Sequence, residues 1–313
     1  MIHDDYGRPV LNLRIAVTQR CNLRCQYCHL EGETSKLGLE MTVGEIGRIT
    51  GIAARLGVSK VKLTGGEPMV RDDIVEIIQR LARVEGIVDL AMTTNGTLLA
   101  GRARELREAG LNRVNISLPS LSPVRYRNLT GGSLRDLIRG VEAAVEAGLY
   151  PVKLNTVVLH AVNQDEIDSL IGFSERTGTI LQIIELEPVN IDPEYYSRFH
   201  HPLKEIEAGL RKRALRVEAR PYMNQRRVYH LPNAKVEVVN PIENTEFCAH
   251  CTRLRLTSDG KLKPCLMRND NLVDILTPLR MGASDEELHR IFVEAVKRRE
   301  PYHRPVAQAR PPA

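Results

Sequence analysis

Apolar and polar residues alternate along six short stretches in the N-terminal part of the chain, roughly 11–18, 60–64, 88–94, 113–118, 152–158 and 181–187. In the first, Leu13, Ile15 and Val17 fall on one side and Asn12, Arg14 and Thr18 on the other. Val61 and Leu63 oppose Lys62 and Thr64; Leu90 and Met92 oppose Thr93 and Asn95. Val114, Ile116 and Leu118 oppose Asn115 and Ser117; Val152 and Leu154 oppose Lys153 and Asn155. In the sixth, Glu185 and Glu187 share a face. A period of two marks a strand, whereas the intervening segments carry a helical period. Ile74, Ile77, Ile78 and Leu81 form one such stripe, and Leu134, Leu137, Ile138, Val141 and Val145 another. Gly57, Gly86, Gly110, Gly148 and Gly178 each close a helical pattern just before a strand, where glycine accepts the left-handed conformation. Strands alternating with helices predict right-handed βα units and a parallel sheet. The fold class expected is α/β, a partial (β/α)6 barrel of the TIM type over residues 1–195.

Parallel strands covered on both faces are usually apolar throughout, and a closed barrel fills its interior with branched apolar side chains. These strands do neither. Their apolar faces must lie under the helices, so the polar faces point inward and predict an open, wet lumen. Arg14, Lys62 and Lys153 on those faces favour an anionic ligand.

Residues 188–204, with Pro188, Pro193, Pro202 and the pair His200-His201, read as a solvated linker. Short alternating strands follow at about 227–230, 236–239 and 253–257, and Ser258-Asp-Gly260 reads as a hairpin turn. A final helix is expected from an N-cap at Ser284, with Glu287 completing a capping box, to Lys297-Arg298-Arg299. Residues 196–313 are therefore expected to form a C-terminal α+β domain. Its tail, 304–313, is rich in proline and expected to be disordered.

Candidate chemistry lies at the carboxyl ends of the strands, where parallel sheets place it. Directly after the first strand come Cys21, Cys25 and Cys28, spaced C-x3-C-x2-C. Thr64-Gly-Gly-Glu-Pro68 follows the second strand and Thr93-Thr-Asn-Gly96 the third; their glycines let backbone groups approach a ligand. A second triplet, Cys248, Cys251 and Cys265, uses the rest of the six cysteines, leaving none for disulfides. A tetrahedral zinc site usually takes four protein ligands, and the first triplet offers three. Short-spaced cysteines also hold iron–sulfur clusters, where three thiolates on a four-iron cluster leave one iron free. Zinc is the rival for the second triplet, because His250 lies between two of its cysteines; a residue so pinned is better placed as an outer neighbour. Arg253 and Arg255 project from one strand face beside that triplet, as donors to an anion or carbonyl.

With 313 residues and 42% hydrophobic content, the chain can build a sizeable core. It has no apolar run long enough for a transmembrane helix and no signal peptide in Met1-Ile-His-Asp-Asp5. A cytoplasmic, reducing setting is expected, which suits thiolate ligands. The net charge of +5 is spread along the chain, and with no Trp and only four Phe it does not argue for nucleic acid.

The motif C-x3-C-x-aromatic-C, with Tyr27 as the aromatic, resembles the signature of the radical S-adenosylmethionine (SAM) superfamily, and Gly-Gly-Glu-Pro resembles its segment for the SAM amino group. From Arg14 to Cys265 the chain resembles one family in particular, the GTP 3′,8-cyclases that open molybdenum cofactor (molybdopterin) biosynthesis. The most specific element is Phe247-Cys-x2-Cys251-x-Arg253-x-Arg255-Leu-x-x-Asp259-Gly260, with thirteen residues between Cys251 and Cys265. The resemblance implies two [4Fe-4S] clusters. The first, on Cys21, Cys25 and Cys28, would bind SAM, with Tyr27, Gly66, Ser117 and Glu187 as SAM-side residues. The second, on Cys248, Cys251 and Cys265, would bind the guanine base through its open iron. Arg14, Lys62, Thr93, Lys153, Arg253 and Arg255 match GTP contacts, with Arg14, Arg253 and Arg255 also catalytic. The implied reaction cleaves SAM with one electron, abstracts the C3′ hydrogen of GTP, joins C3′ to C8 and ends in a further reduction. Implied partners are GTP, an electron donor and a downstream cyclic pyranopterin monophosphate synthase, with room for a homodimer and none for a membrane.

Three positions depart from the family pattern. Lys62 stands where many bacterial members have Arg, which keeps the charge but loses bidentate geometry. Glu187 stands where some members set a Met against SAM. Family members often end in Gly-Gly, in a tail thought to enter the active site, whereas this chain ends Ala309-Arg-Pro-Pro-Ala313. Two other readings compete: a two-cluster radical SAM enzyme acting on a peptide or haem precursor, and a non-enzymatic zinc module.

Overall fold

The computed structural model describes residues 1–34 and 40–303; the Pro-rich tail expected to be disordered lies outside them. Among the described residues, twelve strands join in one sheet. Six of them are the expected strands: β1 (Asn12–Ala16), β2 (Lys60–Thr64), β3 (Asp89–Thr94), β4 (Arg113–Ser117), β5 (Lys153–Val158) and β6 (Ile180–Glu185). The others are β7 (Arg216–Arg220), β8 (Arg226–His230), β9 (Lys235–Val239), β10 (Arg253–Leu256), β11 (Lys261–Lys263) and β12 (Val273–Asp274). The order across the sheet is β12-β11-β10-β1-β2-β3-β4-β5-β6-β9-β8-β7. It runs from edge to edge without closing, as a partial barrel does.

The C-terminal strands build no sheet of their own. β10 pairs in parallel with β1, and β9 in parallel with β6. The parallel run therefore has eight strands, flanked by the antiparallel β11–β12 and β7–β8. The register sets the inner face: Arg255 lies beside Arg14 and Arg14 beside Lys62. Farther along, Asn115 lies beside Lys153, Asn155 beside Gln182, and Gln182 beside Glu237. The opposite face carries Leu13, Ile15, Leu63, Val114, Ile116, Leu154, Ile183 and Leu254, all fully buried.

Helices cover that apolar face. The helix Ile74–Ala82 buries Ile74, Ile77, Ile78 and Leu81, as its stripe predicts. In the helix Leu134–Glu146 the buried line runs Leu134, Leu137, Val141 and Ala144, whereas Val145 is exposed. Two turns of 3.6 residues on from Leu137 carry the contact line to Ala144. The last helix, Asp285–Lys297, opens with the expected Ser284/Glu287 capping box.

Residues 188–204 are not a plain linker. The helix Pro193–Phe199 starts where the Asp192 side chain accepts the amide N–H groups of Glu194 and Tyr195. Pro193 occupies the first helical position, where its missing N–H is no loss. Read as a breaker, it is here a starter. Nor is the histidine pair merely solvated. His200 Nε2 lies 3.1 Å from Glu185 Oε1, and the His201 ring stacks on His160 at 5.8 Å.

Candidate active site

All three N-terminal cysteines line one lumen, together with the inward side chains of the sheet. Their loop leaves β1 and is tied to the opposite side of the barrel, where Arg24 N donates to Thr130 O at 2.9 Å and Gln26 N to Leu129 O at 3.0 Å. The glycines of Thr64-Gly-Gly-Glu-Pro68 serve this loop as well as any ligand. Gly66 N donates to Thr18 O at 2.7 Å and Glu67 N to Arg20 O at 2.9 Å. A Cβ on Gly65 would come within 2.2 Å of Thr18 O, and one on Gly66 within 2.2 Å of Arg20 O. Glu67, almost fully buried, then joins the second motif to the third. It accepts hydrogen bonds from Met69 N (3.0 Å), Thr94 Oγ1 (2.8 Å) and Asn95 N (2.6 Å). Burial raises its carboxyl to about 7, against the pull of those donors.

Tyr27, Gly66, Thr93, Ser117 and Glu187 all face the same lumen. Tyr27 also packs on the apolar cluster of Leu129, Leu159 and Leu186. Glu187 Oε2 lies 3.8 Å from His29 Nε2, so its charge faces an imidazole at the mouth of the cysteine loop.

Arg14, Lys62, Lys153, Arg253 and Arg255 converge from four strands on this lumen. Burial, with the neighbouring Arg253 and Arg255, pulls the Arg14 guanidinium down to about 9. Burial and Arg226 do the same to Arg253, and Lys62 is lowered well below its ordinary value, chiefly by burial. Arginine stays charged at neutral pH, so these shifts express first the burial of the cations and second their mutual repulsion, which an anion relieves. Three buried guanidinium nitrogens, Arg226 Nε, Arg253 Nη2 and Arg255 Nε, have no protein hydrogen-bond partner. Such groups are expensive to bury unless something accepts from them.

Sequence reasoning missed a second group of lumen residues. Arg220 and Arg226, from the β7–β8 hairpin, also line it. Both reach the buried Glu237 of β9, Arg220 Nη1 at 3.1 Å and Arg226 Nη1 at 3.5 Å, and Lys153 Nζ pairs with the same carboxylate. The signal was present: Glu237 is the lone acid between Val236 and Val238 in an alternating strand. Glu31 was also missed. It accepts from Thr64 Oγ1 at 2.8 Å and faces Arg14.

Cys248, Cys251 and Cys265 line a second chamber, which shares Glu187, Arg253, Arg255 and Leu266 with the lumen. Cys248 rides on the short helix Thr245–Ala249, capped by Asn244, and Cys265 follows β11. His250 turns away from the cysteines toward Gln225 and Glu246, so it is no fourth ligand here. Among the described residues, no three His, Cys, Asp or Glu side chains close on one point as a single-ion site does. Both triads consist of free cysteines at the edge of a cavity. Around the second, Asn224 Oδ1 and His303 Nε2 are buried without a partner. Thiolate donors on two open chambers suit iron–sulfur clusters.

The family descriptions "Radical SAM superfamily" and "Molybdenum Cofactor Synthesis C" match residues 15–173 and 179–305 respectively. The chain is 51% identical to the probable GTP 3′,8-cyclase of Pyrococcus abyssi, over 96% of this chain and 99% of that one. It is 49% identical to that of Thermococcus kodakarensis, again over 96% and 99%. The chain belongs to the GTP 3′,8-cyclase family. As a radical SAM family member it takes SAM and a [4Fe-4S] cluster at its N-terminal half, and a second cluster at its C-terminal half.

Among solved structures, Streptococcus suis SuiB shares the fold with a TM-score of 0.64 at 17% identity, over 94% of this chain and 67% of that one. The anSMEcpe structure with bound AdoMet has a TM-score of 0.56 at 16% identity, over 84% and 74%. Among the described residues no helix is long and apolar enough to cross a membrane.

Proposed function

We infer that this cyclase-family protein converts GTP to (8S)-3′,8-cyclo-7,8-dihydroguanosine 5′-triphosphate, the first step of molybdenum cofactor biosynthesis. The observation that carries the reading is the placement of two cysteine triads around one cation-lined lumen. A nucleoside triphosphate matches it: one end aromatic and hydrogen-bonding, the other strongly anionic.

In this reading Cys21, Cys25 and Cys28 hold the cluster that receives SAM, beside Tyr27, Gly66, Ser117 and Glu187. Cys248, Cys251 and Cys265 hold the second, toward the purine end. Held by Cys21, Cys25 and Cys28, the first cluster would supply the one-electron reduction of SAM that starts hydrogen abstraction at C3′ of GTP, and closing the C3′–C8 bond would take a further electron and a proton to reach the 7,8-dihydro product. The protein's residues bind, orient and exclude water. Arg253 and Arg255, shared by chamber and lumen, bridge the two ends of the substrate. Arg14 and Lys62 neutralise phosphate charge, and Lys153 and Arg226 take its far end, all in a low-dielectric site where such contacts are strong. Thr93 and Glu31 set the polar wall between them. The division near residue 195 is one of labour: residues 196–313 bring the second triad and half of the cation set.

An electron donor must reach the first triad, and a synthase that rearranges the cyclised nucleotide must follow. A reducing cytoplasm suits both clusters. The test is anaerobic reconstitution followed by incubation with SAM, dithionite and GTP, with mass spectrometry of products. 5′-Deoxyadenosine and a cyclised GTP product are expected together, and only with GTP. 5′-Deoxyadenosine without that product sends the search to another substrate, and absence of both from iron-loaded protein overturns the reading.

A further inference from the structure

The N-terminal segment and the end of the last helix meet behind the second cysteine triad. Residues 3–9 form a tight loop, closed by the His3–Pro9 bridge and by Gly7, whose N–H donates to Asp4 O at 2.9 Å. Gly7 has a φ of +73°, which suits glycine at that turn. Asp4 Oδ1 accepts from the amides of Tyr6 and Arg8, both at 3.0 Å. Asp4 Oδ2 accepts from Arg8 Nε at 2.8 Å and lies 3.2 Å from Arg299 Nη1. The side chains of Asp4, Arg8 and Arg299 are 0%, 7% and 1% exposed.

Both guanidiniums then extend to the cysteine backbone. Arg8 Nη1 donates to Cys248 O at 2.8 Å, and Arg299 Nη2 to Cys251 O at 2.5 Å. Arg299 Nη1 also donates to Arg8 O at 3.1 Å. Three ionised groups buried together carry a desolvation penalty that an apolar brace of similar size would avoid. The trio also does not cancel: two cations against one anion leave a net positive charge against the chamber wall. Three thiolates around a cluster make the opposite, a net negative site.

We propose that Asp4, Arg8 and Arg299 are positioning residues for the second cluster, fixing the Cys248 and Cys251 carbonyls and, by their net positive charge, raising the cluster's reduction potential. Net charge, hydrogen bonding and burial are what set such potentials, and reduction adds one electron to an already anionic site. The proposal rests on the second triad being a cluster site.

The experiment uses full-length protein with Cys21, Cys25 and Cys28 changed to Ala, reconstituted anaerobically with iron and sulfide. If this parent holds no iron–sulfur cluster, the cluster reading itself fails. If it does, the midpoint potential is read by redox titration with paramagnetic resonance, in the parent and in Asp4→Asn, Arg299→Gln and Arg299→Lys. Opposite shifts are expected: upward for Asp4→Asn, which removes the anion, and downward for Arg299→Gln, which removes a cation. Arg299→Lys keeps the charge and should stay nearer the parent than Arg299→Gln. Equal potentials, or shifts of one sign in both charge-changing variants, overturn the proposal. If Arg299→Gln does not fold, Asp4→Asn, nearly the same shape, decides alone: no upward shift means the trio is a structural brace only.

Discussion

Lys153 and Glu237 form a buried ion pair between β5 and β9, reaching across β6. Arg220 and Arg226 share the same carboxylate, so one acid offsets three cations in the lumen wall. Breaking a buried pair by removing one partner costs about 3–5 kcal/mol, because the other is left uncompensated. Glu237→Gln should therefore lower the thermal midpoint of the apo protein strongly. GTP should restore more of that loss than it adds to the parent, since phosphate oxygens can replace the missing charge. Melts with and without GTP at low salt check this. A loss that GTP leaves undiminished would show that the three cations do not meet the phosphates.

The same carboxylate predicts an acid limb. Lys153, Arg226 and Arg220 hold Glu237 well below its ordinary value of 4.5, overcoming the burial that opposes ionisation. A folded-state pKa below the unfolded one gives stability that is fully present above the unfolded value and fades as pH falls through the folded one. Unfolding midpoints in urea should drop below about pH 4.5, and the limb should be shallower in Glu237→Gln. Matching slopes in parent and variant would assign the limb to other acids.

Two lumen arginines separate charge from availability. Arg113 faces the lumen but is held by Asp89 through two bonds of 2.8 Å. Arg226 keeps a buried Nε without a partner. A hydrogen bond to a charged group contributes about 1.5–3 kcal/mol. Arg226→Gln should thus weaken GTP binding by about 10- to 150-fold, and Arg113→Gln much less. Calorimetric titration under argon compares them, and equal losses would count against Arg226 as a phosphate ligand.

The lumen was legible in the sequence because its strands alternate. Arg14, Lys62 and Lys153 declared themselves by opposing Leu13, Val61 and Leu154, and a two-residue period survives translation into structure without knowledge of the neighbours. What the chain could not declare was which distant segments complete the wall. β10 joins β1 from the other half of the chain, Arg253 beside Asn12, so Arg253 and Arg255 could be placed on a strand but not beside Asn12 and Arg14. Glu237 and Arg226 obey the same alternation, yet became recognisable only once β9 had docked on β6. The helix Pro193–Phe199 was hidden by reading proline as a breaker. The Asp4–Arg8–Arg299 trio left no periodic trace, because it joins the two ends of the described chain through single side chains.

Gly66 offers a local test of how the first triad is held. A Cβ there meets Arg20 O at 2.2 Å, and backbone cannot yield as a flexible side chain can. Overpacking of this kind costs about 1–3 kcal/mol. Relief comes by displacement of residues 18–21, the root of the cysteine loop. Gly66→Ala should lower the thermal midpoint modestly and weaken iron retention at the first triad. The second triad should keep its iron, since its cysteines hang on the helix Thr245–Ala249 and on β11. Iron per chain, measured in Gly66→Ala with either triad removed, separates the two. Iron lost equally from both triads would mean that the substitution unfolds the barrel rather than shifting one loop.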